Sequence, residues 1–114
     1  QMQSRFLKDS KRLMTNIDFN SWVGARIFGE AITRSKSLDT KEILTLIMDE
    51  KFNVAAYKGK PVSFRKWNGQ LRQPILLATP RALVSVSPQS GFAHPRTELD
   101  TIGIDESDTK CKFN

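Results

Sequence analysis

One imidazole and one thiol bound the side-chain chemistry open to this chain. His94 stands between Ala93 and Pro95 with no second His, no neighbouring Cys and no carboxylate at ligand spacing. A zinc-type site draws three or four N, S or O donors together, so no metal is expected here. Cys111 is the single cysteine, which rules out an intrachain disulfide, and its place in an acidic terminal stretch offers no built environment for a thiolate nucleophile. Ser63, Ser85, Ser87 and Ser90 supply hydroxyls without the glycines of a nucleophile elbow, and no glycine loop is suited to cradling a phosphate. The carboxylates Asp49 and Glu50 lie side by side on a helix surface, and Asp105, Glu106 and Asp108 lie in the tail. Neither set has the contrasting environments that general acid–base chemistry needs. Catalysis, cofactor binding and metal binding are therefore not expected of this chain.

The cations are more informative. Residues 51–97 carry eight basic and no acidic side chains, residues 1–50 carry eight basic and seven acidic, and residues 98–114 carry two basic and five acidic. The excess behind the net charge of +6 thus belongs to the middle segment, the flanks together being slightly acidic. Within it Arg65, Lys66, Trp67, Arg72 and Arg81, with Phe64 nearby, mix cations and aromatics as single-stranded nucleic-acid binders do. Basic side chains also guard sheet edges. If a two-residue loop joined the strands, Arg65 and Arg72 would face one another and want a carboxylate between them. Glu98 and Asp100 are the candidates within the chain.

The elements that position these residues divide into helices, then strands. Thr15 with Asp18 three residues on, flanked by Met14 and Phe19, reads as a capping box with a hydrophobic staple. Asp39 repeats the helix-start signal, with Leu38 and Ile43 placed as its staple. After the first start Phe19, Trp22, Val23, Ile27, Ala31 and Ile32 form an apolar stripe, and Arg26, Glu30 and Arg34 a charged one. After the second, Ile43, Leu44, Ile47 and Met48 form the apolar face, and the helix is predicted to end near Lys51 or Phe52. An opening helix is allowed by Met2, Phe6, Leu13 and Met14. From Tyr57 the pattern changes: Val62 to Arg65 alternates, Asn68-Gly69 marks a hairpin, and Pro74 makes the return strand an edge or a place where the chain changes partner. Thr79-Pro80-Arg81 turns into a third strand over Ala82 to Ser87. Three parts are expected: a helical segment over 1–56, a β-hairpin and crossing strands over 57–88, and an extended tail over 89–114.

With 114 residues there is room for one modest core. Leu, Ile, Val and Phe together make up 30 residues, enough apolar content to argue against wholesale disorder. No apolar run approaches the roughly 20 residues of a bilayer-spanning helix, and no signal peptide opens the sequence.

The run from Ser63 to Val86, SFRKWNGQLRQPILLATPRALVSV, resembles the C-terminal part of the periplasmic substrate-binding proteins of branched-chain amino acid type ABC transporters. The subgroup it is most similar to is encoded alongside pyrroloquinoline-quinone-dependent alcohol dehydrogenase systems. Shorter likenesses run through Lys11-Arg12-Leu13-Met14-Thr15, Asp18-Phe19, Gly29-Glu30-Ala31, Tyr57-Lys58-Gly59 and Glu98-Leu99-Asp100-Thr101. The resemblance implies an α/β type 1 periplasmic binding fold, of which this chain would be the final third, and a periplasmic location. It also implies a small-molecule solute, an ABC transporter permease and the N-terminal part of the same protein as partners, not nucleic acid. It transfers no ligand contact to a numbered residue. The basic hairpin has no acidic group for an amino-acid ammonium, which favours another small organic solute linked to alcohol metabolism. An independent nucleic-acid module using Arg65, Lys66, Trp67 and Arg72 is the alternative, as is a receptor-like sensor on the same fold. If the helices and ribbon belong to a larger body, apolar faces should stand exposed and the chain should tend to associate.

Overall fold

The computed structural model describes residues 1–101 and 103–110. Three helices come first: α1 (Met2–Ser10), α2 (Asn16–Ser35) and α3 (Thr40–Ile47). Five short strands follow: β1 (Val54–Ala55), β2 (Pro61–Phe64), β3 (Leu71–Arg72), β4 (Ile75–Ala78) and β5 (Leu83–Ser87). Two 3-10 turns, Glu98–Thr101 and Glu106–Asp108, come last. All strand pairing among the described residues is antiparallel, in one sheet ordered β1-β2-β3 and a separate ribbon of β4 and β5. The protein is thus a mixed helix and sheet structure.

The helix starts are those the sequence spells out. Thr15 Oγ1 accepts from the Asp18 backbone N–H, while the Thr15 N–H donates to the Asp18 carboxylate at 2.8 Å, closing the capping box. Arg12 donates to both oxygens of that carboxylate at 2.6 and 2.7 Å. These bonds from Arg12, and then those from Thr15, hold the Asp18 carboxyl well below the ordinary carboxylate range. At α3 the Asp39 carboxylate accepts from the N–H groups of Lys41 and Glu42. Its expected staple does not close, because Leu38 is 83% exposed. The helix also ends at Ile47, short of the expected Lys51 or Phe52. Asp49 accepts from the Lys51 N–H and turns the chain, which drives Phe52 back into the core.

The core lies between α2, α3 and the three-stranded sheet. Val23, Ile27 and Ala31, spaced by four, present one buried line of α2 to Ile43, Phe52, Val54, Ala56 and Val62. Burial alternates from Phe52 to Ala56, with Asn53 and Ala55 facing water, so β1 is a half-buried strand inside the segment expected to be helical. β2 and β3 pair Ser63 with Arg72 and Phe64 with Leu71. The chain then changes partner at Pro74, whose side chain is fully buried, and β4 pairs only with β5.

This β4–β5 ribbon leaves the body. Ile75, Leu76, Leu77, Leu83 and Val84 all stay exposed along it, Val84 by 68%. The accessible surface of the chain is 8684 Å², against about 6,300 Å² for a compact monomer of its mass. The radius of gyration, 15.9 Å, exceeds the roughly 13 Å of a compact domain of this length. The last segment is more than an extended tail, since Leu99 is buried and Asp100 is tied into the sheet.

Candidate functional site

The hairpin around Asn68-Gly69 places the cations differently from the simplest expectation. The Arg65 N–H donates to the Gln70 carbonyl and the Gly69 N–H to the Arg65 carbonyl, each at 2.8 Å, so the loop is Lys66 to Gly69 and has four residues. Gly69 takes a φ of 68°, the left-handed conformation that glycine accepts without cost. In this register Arg72 sits opposite Ser63 rather than Arg65, and the two arginines meet diagonally on one face.

The carboxylate between them is Asp100. Arg65 Nε donates to Oδ1 at 2.9 Å, Arg72 Nη1 to Oδ2 at 3.0 Å, and Thr97 Oγ1 to Oδ2 at 2.6 Å. Arg65 also donates to Gln70 Oε1, and Arg72 to the Phe64 carbonyl. Burial pushes the Asp100 carboxyl up. The hydrogen bonds from Thr97 and Arg65 and the charge of Arg72 outweigh it and leave the pKa below the usual carboxylate value. Arg65 retains only 4% of its side-chain surface and Arg72 12%. Two of the four hairpin side chains expected to meet a polyanion are therefore spent on locking segment 97–101 to β2 and β3. Lys66 stays exposed and Trp67 half-buried, while Arg81 lies on the distant turn of the ribbon. Glu98, the other candidate bridge, pairs with Lys60 instead.

The remaining chemistry-bearing residues stay apart. His94 Nε2 lies 3.1 Å from Asp105 Oδ2, and the Arg96 N–H donates to His94 Nδ1, so both ring nitrogens are engaged in shaping the loop. Ser63 is on β2, Ser85 and Ser87 on β5, and Ser90 beyond it, with His94 bonded to none of them. Asp49 and Glu50 form the turn after α3. Arg96 pairs with Glu106. Cys111 lies outside the described residues. Among the described residues no group of three or more His, Cys, Asp or Glu side chains could hold a metal ion, and no helix is long and apolar enough to cross a membrane.

A second arrangement escapes the sequence reading. Trp22, on the α2 face next to the buried line, stacks on Tyr57 with ring centroids 5.6 Å apart and planes at 26°, and Phe19 tilts against Trp22 at 6.1 Å. Tyr57 owes its position to a backbone φ of 55°, a conformation few non-glycine residues adopt and one over-represented at functional sites. Lys58 follows, its Nζ 4.8 Å from the centre of the Phe19 ring and 2.8 Å from Gln73 Oε1. Partial burial lowers the pKa of this ammonium, and no carboxylate stands within salt-bridge reach among the described residues.

These side chains wall two adjoining concavities of about 660 and 570 Å³ that share Met2, Gln3, Met14 and Tyr57. Phe6, Arg5 and Trp22 line the first; Phe19, Asn20, Lys58 and Gln73 line the second. Such volumes suit a small organic ligand. The only sequence signal for this cleft is the clustering of Phe19 and Trp22 at the start of α2 and of Tyr57 and Lys58 before Gly59. Nothing in the periodicity shows that the two clusters meet.

Comparison with known protein families, characterised proteins and solved structures finds no significant match to this chain.

Proposed function

We propose that this chain is part of the solute-binding component of an ABC transporter, which holds a small organic solute in the periplasm and delivers it to a membrane permease. In this reading the helices, the locked sheet and the ribbon form the terminal part of a type 1 periplasmic binding fold, completed by further polypeptide of the same protein. The observation that carries the reading is the uncovered ribbon. An antiparallel pair with both edges open and Ile75, Leu76, Leu77, Leu83 and Val84 in water is marginal by itself and gains stability by joining another sheet. The surface in excess of a compact monomer, about 2,400 Å², is more than the roughly 600–1,500 Å² that a single domain interface buries, so it leaves room for such a junction. The resemblance over Ser63–Val86 falls on this same ribbon and on the hairpin before it.

Solute would act by stabilising the closed arrangement of two lobes through contacts that the open one lacks. The alternative of an independent nucleic-acid module loses weight because Arg65 and Arg72 already share Asp100. The test compares this chain with the product of its complete reading frame by amide hydrogen exchange. The expected result is fast exchange over residues 75–87 in the chain alone, slow exchange in the complete protein, and a rise in Tm of the complete protein with an organic solute. Slow exchange of the ribbon in a monomer of this chain alone, with no solute raising the Tm of the complete protein, would overturn the reading.

A further inference from the structure

We infer that the cleft between α1, the first turns of α2 and the Tyr57–Lys58 segment binds a small organic acid, whose flat apolar body lies along the Trp22–Tyr57 stack and whose carboxylate meets Lys58. The inference deepens the transport reading by naming the class of solute, but the site itself stands on this chain's own geometry.

Three independent features converge on it. First, the walls are aromatic and thioether side chains, namely Phe6, Phe19, Trp22, Tyr57 and the two methionines, which offer flat and polarizable surface to a planar body. Tyr57 is 73% exposed, while Trp22 beneath it is half-buried and packs against the core, so the stack is anchored on one side and open on the other. Second, the ammonium of Lys58 is partly desolvated and finds only the neutral acceptor Gln73. A cation withdrawn from water without a counter-charge gains most from a carboxylate, because a charge-assisted bond in a partly dry site is stronger than the bond to an amide that it supplements. Arg5 at the other end of the cleft makes no ion pair among the described residues and keeps the rim positive. Acidic side chains are absent from the described lining of both concavities, so a cationic ligand would meet like charge. Third, the backbone at Tyr57 holds the left-handed conformation although Gly59 stands two residues away. That conformation sets the Tyr57 ring against Trp22 and places Lys58 over Phe19 in the same turn.

The test is fluorescence titration of the full chain in a Trp67→Phe background, so that Trp22 is the sole reporter. Benzoate, its neutral isostere benzamide and the non-planar cyclohexanecarboxylate serve as probes. Saturable quenching by benzoate is expected, with affinity at least about tenfold above benzamide, and weaker binding of cyclohexanecarboxylate. Lys58→Met should abolish the preference for benzoate over benzamide. Tyr57→Gly suits the left-handed backbone, so it should keep the Tm of the chain while losing about tenfold or more in affinity for both aromatic probes. Equal binding of benzoate and benzamide, absence of saturable quenching, or unchanged affinity in Tyr57→Gly would overturn the inference. So would benzoate binding to this chain but not to the complete protein, which would put polypeptide in the cleft. If benzoate binds and no solute is delivered to a permease, the transport reading fails while the site stands.

Discussion

Replacing Asp100 by Asn tests the lock between the terminal segment and the sheet most directly. The substitution keeps the shape of the side chain but removes the charge that Arg65, at 2.9 Å, and Arg72, at 3.0 Å, both address. Both guanidiniums are nearly withdrawn from water, so breaking the pairing belongs with buried ion pairs, for which loss of one partner costs about 3–5 kcal/mol. Asn can still accept one hydrogen bond, which puts the expected cost at the lower end, about 3 kcal/mol. With a urea m-value of about 1.5 kcal/mol per molar, the midpoint should fall by about 2 M at pH 7. The pH dependence has a definite sign. The folded pKa of Asp100 is depressed, so its contribution is fully present above the unfolded value, about 3.9, and is lost as pH falls through the folded one. The gap between wild type and Asp100→Asn should stay constant from about pH 5 to 8 and close below about pH 4. Arg72→Met should be milder, about 1 kcal/mol, because it leaves Arg65 alone on Asp100 and fills the space of the arginine stem. A midpoint shift under about 0.5 M for Asp100→Asn, or an Arg72→Met variant as costly as Asp100→Asn, would refute the assignment of Asp100 as the shared counter-charge.

Thr15→Ala removes the side-chain half of the capping box, leaving the backbone N–H bond to Asp18 in place, and should lower stability by about 1 kcal/mol, read as a lower Tm with faster amide exchange in the first turn of α2. Gly69→Ala forces a Cβ into a φ of 68° and should cost about 1–2 kcal/mol by urea midpoint. Val62→Ala opens a hole beside Val54 in the core and should cost about 2 kcal/mol. Val84→Lys on the exposed ribbon should change stability by less than about 0.5 kcal/mol, yet shift this chain toward the monomer in sedimentation, and an unchanged association state would count against an apolar ribbon as its cause.

Local signals were the legible ones. Thr15 and Asp39 start their helices because a side-chain oxygen three residues or fewer from an orphan N–H needs no tertiary help. Asn68-Gly69 marks its turn and Pro74 its change of partner because each restricts the backbone at one place. The carboxylate wanted between Arg65 and Arg72 was also foreseeable, and Asp100 fills that role, although a four-residue loop brings the arginines together diagonally rather than face to face. The short β1 was hidden because the alternation from Phe52 to Ala56 is brief and follows directly on the predicted helix end, where only the turn at Asp49 sets its direction. The aromatic cleft was hidden for a different reason. Trp22 and Tyr57 are 35 residues apart, and their stacking depends on one left-handed φ that no residue type at that position announces.

The passage through Gln73 and Pro74 gives the outlying strands a mechanical grip on the cleft. Gln73 and Pro74 are the two residues that link β3 to the ribbon, and Gln73 also accepts from Lys58 through its amide oxygen. A movement of the ribbon that displaced Gln73 would therefore alter the hydrogen bond of the Lys58 ammonium. If a ligand in the cleft changed that bond, thermodynamic linkage would make its effect on the ribbon equal to the effect of the ribbon on its affinity.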